Sequence, residues 1–176
     1  ILLMRTNSFG TVEWEYEYGT AQDDIGSSIY QTIDGGFIIC GKTISPNTGF
    51  NHVYLLKVNS DGIEEWDTSF GGEGDDNGYA VLQTLDGGYI ISGVTRSHGD
   101  SNGDGFLMKT DSDGNQLWYK SYGGNLTEII YDVQSTNDGG FILIGHTNSY
   151  GSGANDAYVI KVNSFGEPSP QSKSYK

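Results

Sequence analysis

The sequence predicts an all-β fold assembled from repeats of one four-stranded antiparallel meander, and three observations carry that expectation. The same residues recur every 52 positions: Asp-Gly-Gly stands at 34–36, 86–88 and 138–140, and Trp stands at 14, 66 and 118. A fixed period of this length is the mark of a repeat architecture, in which one supersecondary unit buries its faces against its neighbours. Each period divides into four short segments punctuated by turn signals, with no helical periodicity. Glycine supplies 27 of the 176 residues and tyrosine 12, a turn-rich β composition.

The elements follow in order within one period. Residues 53–58 form the first segment, with counterparts at 1–6, 105–110 and 157–162. Apolar side chains fall on both of its faces, as in a strand covered on two sides. An Asn/Asp-Ser-x-Gly turn follows at 7–10, 59–62, 111–114 and 163–166. In the second segment, 64–70, Trp66, Thr68 and Phe70 share one face through the period of two. The matching triplets are Trp14, Tyr16 and Tyr18, and Trp118, Lys120 and Tyr122. A polar loop at 71–77 leads to a third segment, 78–84, and Leu85-Asp86-Gly87 connects it to a fourth, 88–93. Asp-Gly reads as a tight hairpin with positive φ at both turn positions. A loop over 95–104 enters the next period.

The units so counted are 1–52, 53–104 and 105–156, with an extra first strand at 157–166. Residues 167–176 read as a tail, because Pro168 and Pro170 fall at strand positions. A four-stranded meander repeated at about 50 residues is the pattern of a β-propeller blade. The alternative is a flat β-solenoid, whose parallel pairing conflicts with tight hairpins. Gly41, Gly93 and Gly145 suggest a crowded position, which leads us to expect the Gly-Gly-Phe/Tyr-Ile strand innermost in each blade.

Charge and composition exclude several functions. A net charge of −14, with only nine basic residues, repels nucleic-acid phosphates and anionic membranes alike. No apolar run reaches the roughly 18 residues of a membrane helix, so no membrane insertion is expected. Cys40 is the sole cysteine, so an internal disulfide is excluded, and its apolar neighbours Phe37, Ile38 and Ile39 predict burial.

Aromatic-Leu-x-Lys-x-Asp/Asn-x-x-Gly, then Trp, aromatic-Gly-Gly, Asp-Asp and Asp-Gly-Gly-aromatic-Ile-x-x-Gly-x-Thr recur over residues 1–166. This combination resembles the bacterial and archaeal extracellular β-propeller repeats called SBBP-type. The resemblance implies a secreted or surface-displayed protein, often one module of a longer chain, and no established catalytic site. One departure is Glu128, which stands where the other units carry Asp24 and Asp76.

Candidate sites are few. Asp100, Asn102 and Asp104, followed by Gly105, place oxygen side chains at alternate positions as in the first half of a calcium loop. A Ca²⁺ site on these three residues is weighed against a plain Asx-rich turn; Asp111 stands at the twelfth position. Asp24, Asp76 and Glu128 recur with the period, which argues for structure over catalysis. Their expected partners are the recurring bases Arg5, Lys57, Lys109 and Lys161. His52, His98 and His146 share no repeat position and no metal-ligand spacing. The pairs Thr43 and Ser45, Thr95 and Ser97, and Thr147 and Ser149 read as loop caps, or with Tyr150, His98 and Asn148 as a sugar-binding rim. Asn125-Leu126-Thr127 is a glycosylation sequon. No nucleophile elbow, phosphate loop or Cys/His pair is present.

Together these readings predict a non-enzymatic extracellular or cell-surface module for scaffolding or protein interaction. The alternative is a carbohydrate-binding, lectin-like propeller. Three units and one extra strand fall short of a ring of about four blades. The expected partners are therefore other copies or further repeats of the same array, besides a protein or glycan ligand.

Overall fold

The structure is a computed structural model that describes residues 1–168, and these hold 13 strands in four antiparallel sheets and no helix. The first sheet pairs β1 (Leu2–Thr6) with β2 (Val12–Glu17). The second orders β3 (Asp24–Gln31), β4 (Phe37–Ile44), β5 (Asn51–Val58) and β6 (Glu64–Phe70). The third orders β7 (Asn77–Gln83), β8 (Tyr89–Thr95), β9 (Asp104–Thr110) and β10 (Gln116–Tyr122). The fourth orders β11 (Glu128–Ser135), β12 (Phe141–Thr147) and β13 (Asp156–Val162). Each is a meander in chain order. Each complete sheet takes the last two strands of one 52-residue unit and the first two of the next. Pro168 bridges to Val162 beside β13, and the rest of the expected tail, 169–176, lies outside the described residues.

The sheets stack face to face in series. We call the face toward the following sheet the front and the opposite one the back. Between first and second sheets, Ile1, Leu3 and Tyr18 pack on Phe37, Ile39, Tyr54, Leu56 and Val58. Between second and third, Ile38, Cys40, Val53 and Leu55 meet Tyr89, Ile91, Phe106 and Met108. Between third and fourth, Ile90, Leu107 and Tyr122 meet Phe141, Leu143, Ile160 and Val162. The same repeat positions build all three cores. Alternation along β4, β5, β8 and β9 sends side chains to both neighbours, which is why these strands are apolar on two faces. Cys40 is fully buried, as its neighbours predicted.

Each tryptophan belongs to the last strand of one sheet and lies on the turn of the next. Trp14 contacts the site of a Gly62 Cβ, Trp66 that of Gly114, and Trp118 that of Gly166. Trp66 also meets Tyr89 at a ring-centroid distance of 5.9 Å. The glycine of the Asn/Asp-Ser-x-Gly turn is thus needed twice, for φ near +80° and for room under an indole: Gly62 has φ 80 and Gly114 φ 82.

Two sequence expectations need correction. The Gly-Gly-Phe/Tyr-Ile strands are β4, β8 and β12, and each is the second strand of its sheet, hydrogen-bonded on both sides. A strand flanked by two neighbours cannot be innermost. Gly41, Gly93 and Gly145 instead face bulges in the preceding strand, where a Cβ would overlap the carbonyl of Ile25, Asn77 or Ile129. The hairpin turn also differs. Gly35, Gly87 and Gly139 have φ of 85, 85 and 80, but among the described residues no non-glycine residue has positive φ. Gly35 N donates to Thr32 O and Thr32 N to Gly36 O, both at 2.9 Å. This is a three-residue loop, a type I turn closed by a left-handed glycine. Asp34, a central residue of the type I turn, stays out of the left-handed region, and its carboxylate accepts from Thr32 Oγ1 and Gly36 N–H.

Candidate functional site

At the Asp-Gly-Gly end of the sheets, each motif makes one compact polar corner. Lys57 Nζ lies 3.0 Å from Asp34, Lys109 Nζ 3.0 Å from Asp86 and Lys161 Nζ 2.9 Å from Asp138. Each lysine also donates to the carbonyl of the residue after it: Val58, Thr110 or Val162. The same carboxylates accept from Thr32, Thr84 or Thr136 and from the Gly36, Gly88 or Gly140 N–H. A Cβ at Gly36 would strike Lys57 Nζ and the Val58 carbonyl, so the second glycine makes room for the ammonium. The threonine hydroxyl, then the glycine N–H and the lysine, hold the Asp34 carboxyl down to about 2, and Asp86 and Asp138 are lowered by the same groups. The three lysines therefore pair with Asp34, Asp86 and Asp138, Lys57 also with Glu65 at 2.7 Å, and not with Asp24, Asp76 and Glu128 as the sequence suggested. The lysine side chains run toward the turn end of the sheet, while the other acids sit at the opposite end. Arg5 pairs with Glu13 at 2.8 Å.

At that opposite end, Asp76 and Glu128 clamp loops. Asp76 accepts from Gly72 N (3.2 Å), Arg96 N (3.2 Å), Ser97 N (3.3 Å) and Ser97 Oγ (2.6 Å). Glu128 accepts from Gly124 N (2.7 Å), Thr147 Oγ1 (2.6 Å), Asn148 N (3.2 Å) and Ser149 N (3.0 Å). Burial raises the Glu128 carboxyl, but these bonds outweigh it and the net displacement is downward. The exchange of Asp for Glu keeps the clamp. Asp24 only caps its own turn, through Thr20 N at 2.6 Å. Thr95 Oγ1 accepts from Ser97 and His98 N–H, and Thr147 Oγ1 from Ser149 and Tyr150 N–H. The Thr-x-Ser pairs at 95 and 147 are thus loop caps.

In the loop at 100–105 each of the three candidate side chains takes part in a hydrogen bond. Asp100 Oδ1 accepts from Asn102 N at 2.9 Å, and Asn102 Nδ2 donates to Asn125 O at 3.0 Å. Asp104 Oδ2 accepts from Asp100 N at 3.2 Å, while its buried Oδ1 has no hydrogen-bond partner among the described residues. Seven-residue β9 carries Asp111 roughly 20 Å to the far end of the sheet. There Asp111 caps the turn to Asp113 and Asn115. Asp104 and Glu128 both border Gly123, where a Cβ would touch their carboxylates. Burial, then Glu128 and Asp100, raise the Asp104 carboxyl above its ordinary range. Among the described residues, no three His, Cys, Asp or Glu side chains converge on a metal position.

A cavity of about 560 Å³ opens between the second and third sheets at the clamp end. Its wall includes His52, Phe70, Asp76, His98, Gln116 and Tyr119. The ring of Tyr119 stacks on Phe106 at 5.4 Å and meets His98 at 5.1 Å. Two of the three histidines thus share one cavity, whereas His146 Nδ1 sits 3.1 Å from Tyr131 Oη. Tyr119 and Gln116 were missed in the sequence. Tyr119 does break the repeat, replacing Asp67, and that break was the available signal. Asn125 of the sequon is exposed. No family model matches the chain, and no curated protein matches it.

Proposed function

We propose that this chain is a non-enzymatic extracellular or cell-surface module, a run of β-propeller blades that serves scaffolding or protein interaction within a longer or oligomeric assembly. One observation carries the reading. The charged groups that recur with the period are consumed in holding turns and loops together. Asp34, Asp86 and Asp138 bind lysines, while Asp76 and Glu128 bind loop N–H groups. Such groups do not serve as acid, base or nucleophile. Electron microscopy of the purified assembly tests the blade arrangement, with discs expected and elongated rods excluding it. Antibody labelling of intact cells of the producing organism tests location. Signal only after lysis would reject display at the surface.

The cavity beside His98 favours a second reading, a carbohydrate site with Tyr119 as its aromatic wall. Binding on a glycan array that disappears in Tyr119→Ala supports it; an unchanged array rejects it. Calcium at Asp100, Asn102 and Asp104 belongs to the same proposal, since Asp104 Oδ1 is a buried acceptor with no hydrogen-bond partner among the described residues. The melting temperature is then higher in calcium than in excess chelator, and the difference vanishes in Asp100→Ala. Identical melting curves sink the site.

A further inference from the structure

The two ends of the stack carry the two halves of an interface that the molecule already uses three times. On the front faces, Cys40 and Ser92 are 0% exposed, as are Leu55 and Leu107; their equivalents on the fourth sheet, Ile144 and Val159, are 53% and 47% exposed. On the back faces, Leu56 and Met108 are 0% exposed and Tyr54 is 2% exposed; their equivalents on the first sheet, Met4 and Leu2, are 46% and 57% exposed. The difference is one of coverage, not of residue type, because every one of these positions is apolar or small in each repeat. An uncovered apolar sheet face of this kind marks an interaction surface.

We infer that a second copy of this chain covers these ends head to tail: the front of the fourth sheet, through Ile144 and Val159, docks on the back of the first sheet of the partner, through Leu2 and Met4. This rests on the propeller reading above and names its partner. The occupant is argued from continuity with the internal packing. Front and back faces pack on each other at every internal seam, so the surface that fits a front face is a back face of the same repeat. Such a contact is heterologous; on the propeller reading it closes into a ring, whereas one that failed to close would run on as a filament. Two copies, each of four sheets, fall at the upper end of the roughly four to eight blades that propeller rings hold.

Light scattering on the purified chain, wild type and two double variants, tests this. Ile144→Asp with Val159→Asp blocks the front, and Leu2→Asp with Met4→Asp blocks the back. The wild type is expected at twice the chain mass or more. Each double variant is expected as a monomer, and their mixture as a 1:1 complex, because each keeps the half the other lacks. If both block the same contact yet the mixture stays monomeric, or if only one of them dissolves the assembly, the contact joins like faces and the inference fails. A monomeric wild type at 100 μM also overturns it, and needs no variant. Circular dichroism confirms that the variants keep their β structure, and Ile144→Ser and Leu2→Ser replace any that do not. A monomer that still labels on intact cells rejects self-docking while leaving the surface-module reading in place.

Discussion

At the residue scale, two carboxylates of the third sheet pull stability in opposite directions with pH. Asp86 is held below its ordinary range by Thr84, Lys109 and the Gly88 N–H. A lowered folded value contributes stability above the ordinary carboxylate range, and that contribution fades as acid protonates the group. Asp104 is raised, chiefly by burial, so its charge is a penalty at neutral pH that disappears once the pH falls below the unfolded value. Melting curves from pH 3 to 7 separate the two. Asp86→Asn is expected to melt lower than wild type at pH 7, with the gap closing toward pH 3. Asp104→Asn is expected to melt higher at pH 7, with that gap closing over the same span. Its amide can still accept from Asp100 N and can donate toward Glu128. Trp66 lies half-buried over Gly114 and Tyr89, so Trp66→Ala is expected to destabilise by about 2–3 kcal/mol, below the cost at a fully buried aromatic. Urea unfolding measures it.

At the element scale, the strands behave as sheet members held at both ends by different chemistry. In the third and fourth sheets one end carries the Asp-Gly-Gly corner; the other carries a clamp that ties the start of one strand to the loop leaving the next. Asp76, nearly fully buried, joins the start of β7 to the loop after β8 through Arg96 and Ser97. Removing it leaves backbone donors without their acceptor. Asp76→Ala is expected to lower stability by about 2–4 kcal/mol, several charge-assisted bonds being lost together. Equilibrium denaturation is the measurement, and a change within error would mean that water replaces the carboxylate freely. The positions of the strands and turns were legible in the sequence, because alternation and glycine punctuation are local. The partner of each lysine was not. The lysine and the motif aspartate are 23 residues apart, and only the pairing of β4 with β5, or β8 with β9, brings them together.

At the scale of the whole molecule, stability is shared through nearest-neighbour seams. The third sheet is covered on both faces, and β8 and β9 are buried along their full length. The first sheet has two strands and one covered face. In the front-blocked variant, which leaves the ends open, hydrogen exchange is expected slowest in β8 and β9 and fastest in β1 and β2. Uniform protection across all four sheets would show that the stack unfolds only as one unit. The cavity beside His98 belongs to this scale too, since second-sheet residues form one wall and Tyr119 of the third forms the other.

The sequence by itself determined the period, the all-β class, the strand positions and the burial of Cys40, because each follows from spacing along a few consecutive residues. It also marked the glycines as indispensable, though for partly different reasons. Tertiary structure alone decided which strands share a sheet, half a period out of step with the units as counted. It assigned the lysines to Asp34, Asp86 and Asp138 and left the acids at 76 and 128 to the loops. It also set Tyr119 against His98 and left Ile144 and Leu2 bare at opposite ends. The physical reason is common to all of these. A repeat states what each position prefers, whereas its neighbours across a seam are chosen by packing over distances that no local pattern encodes.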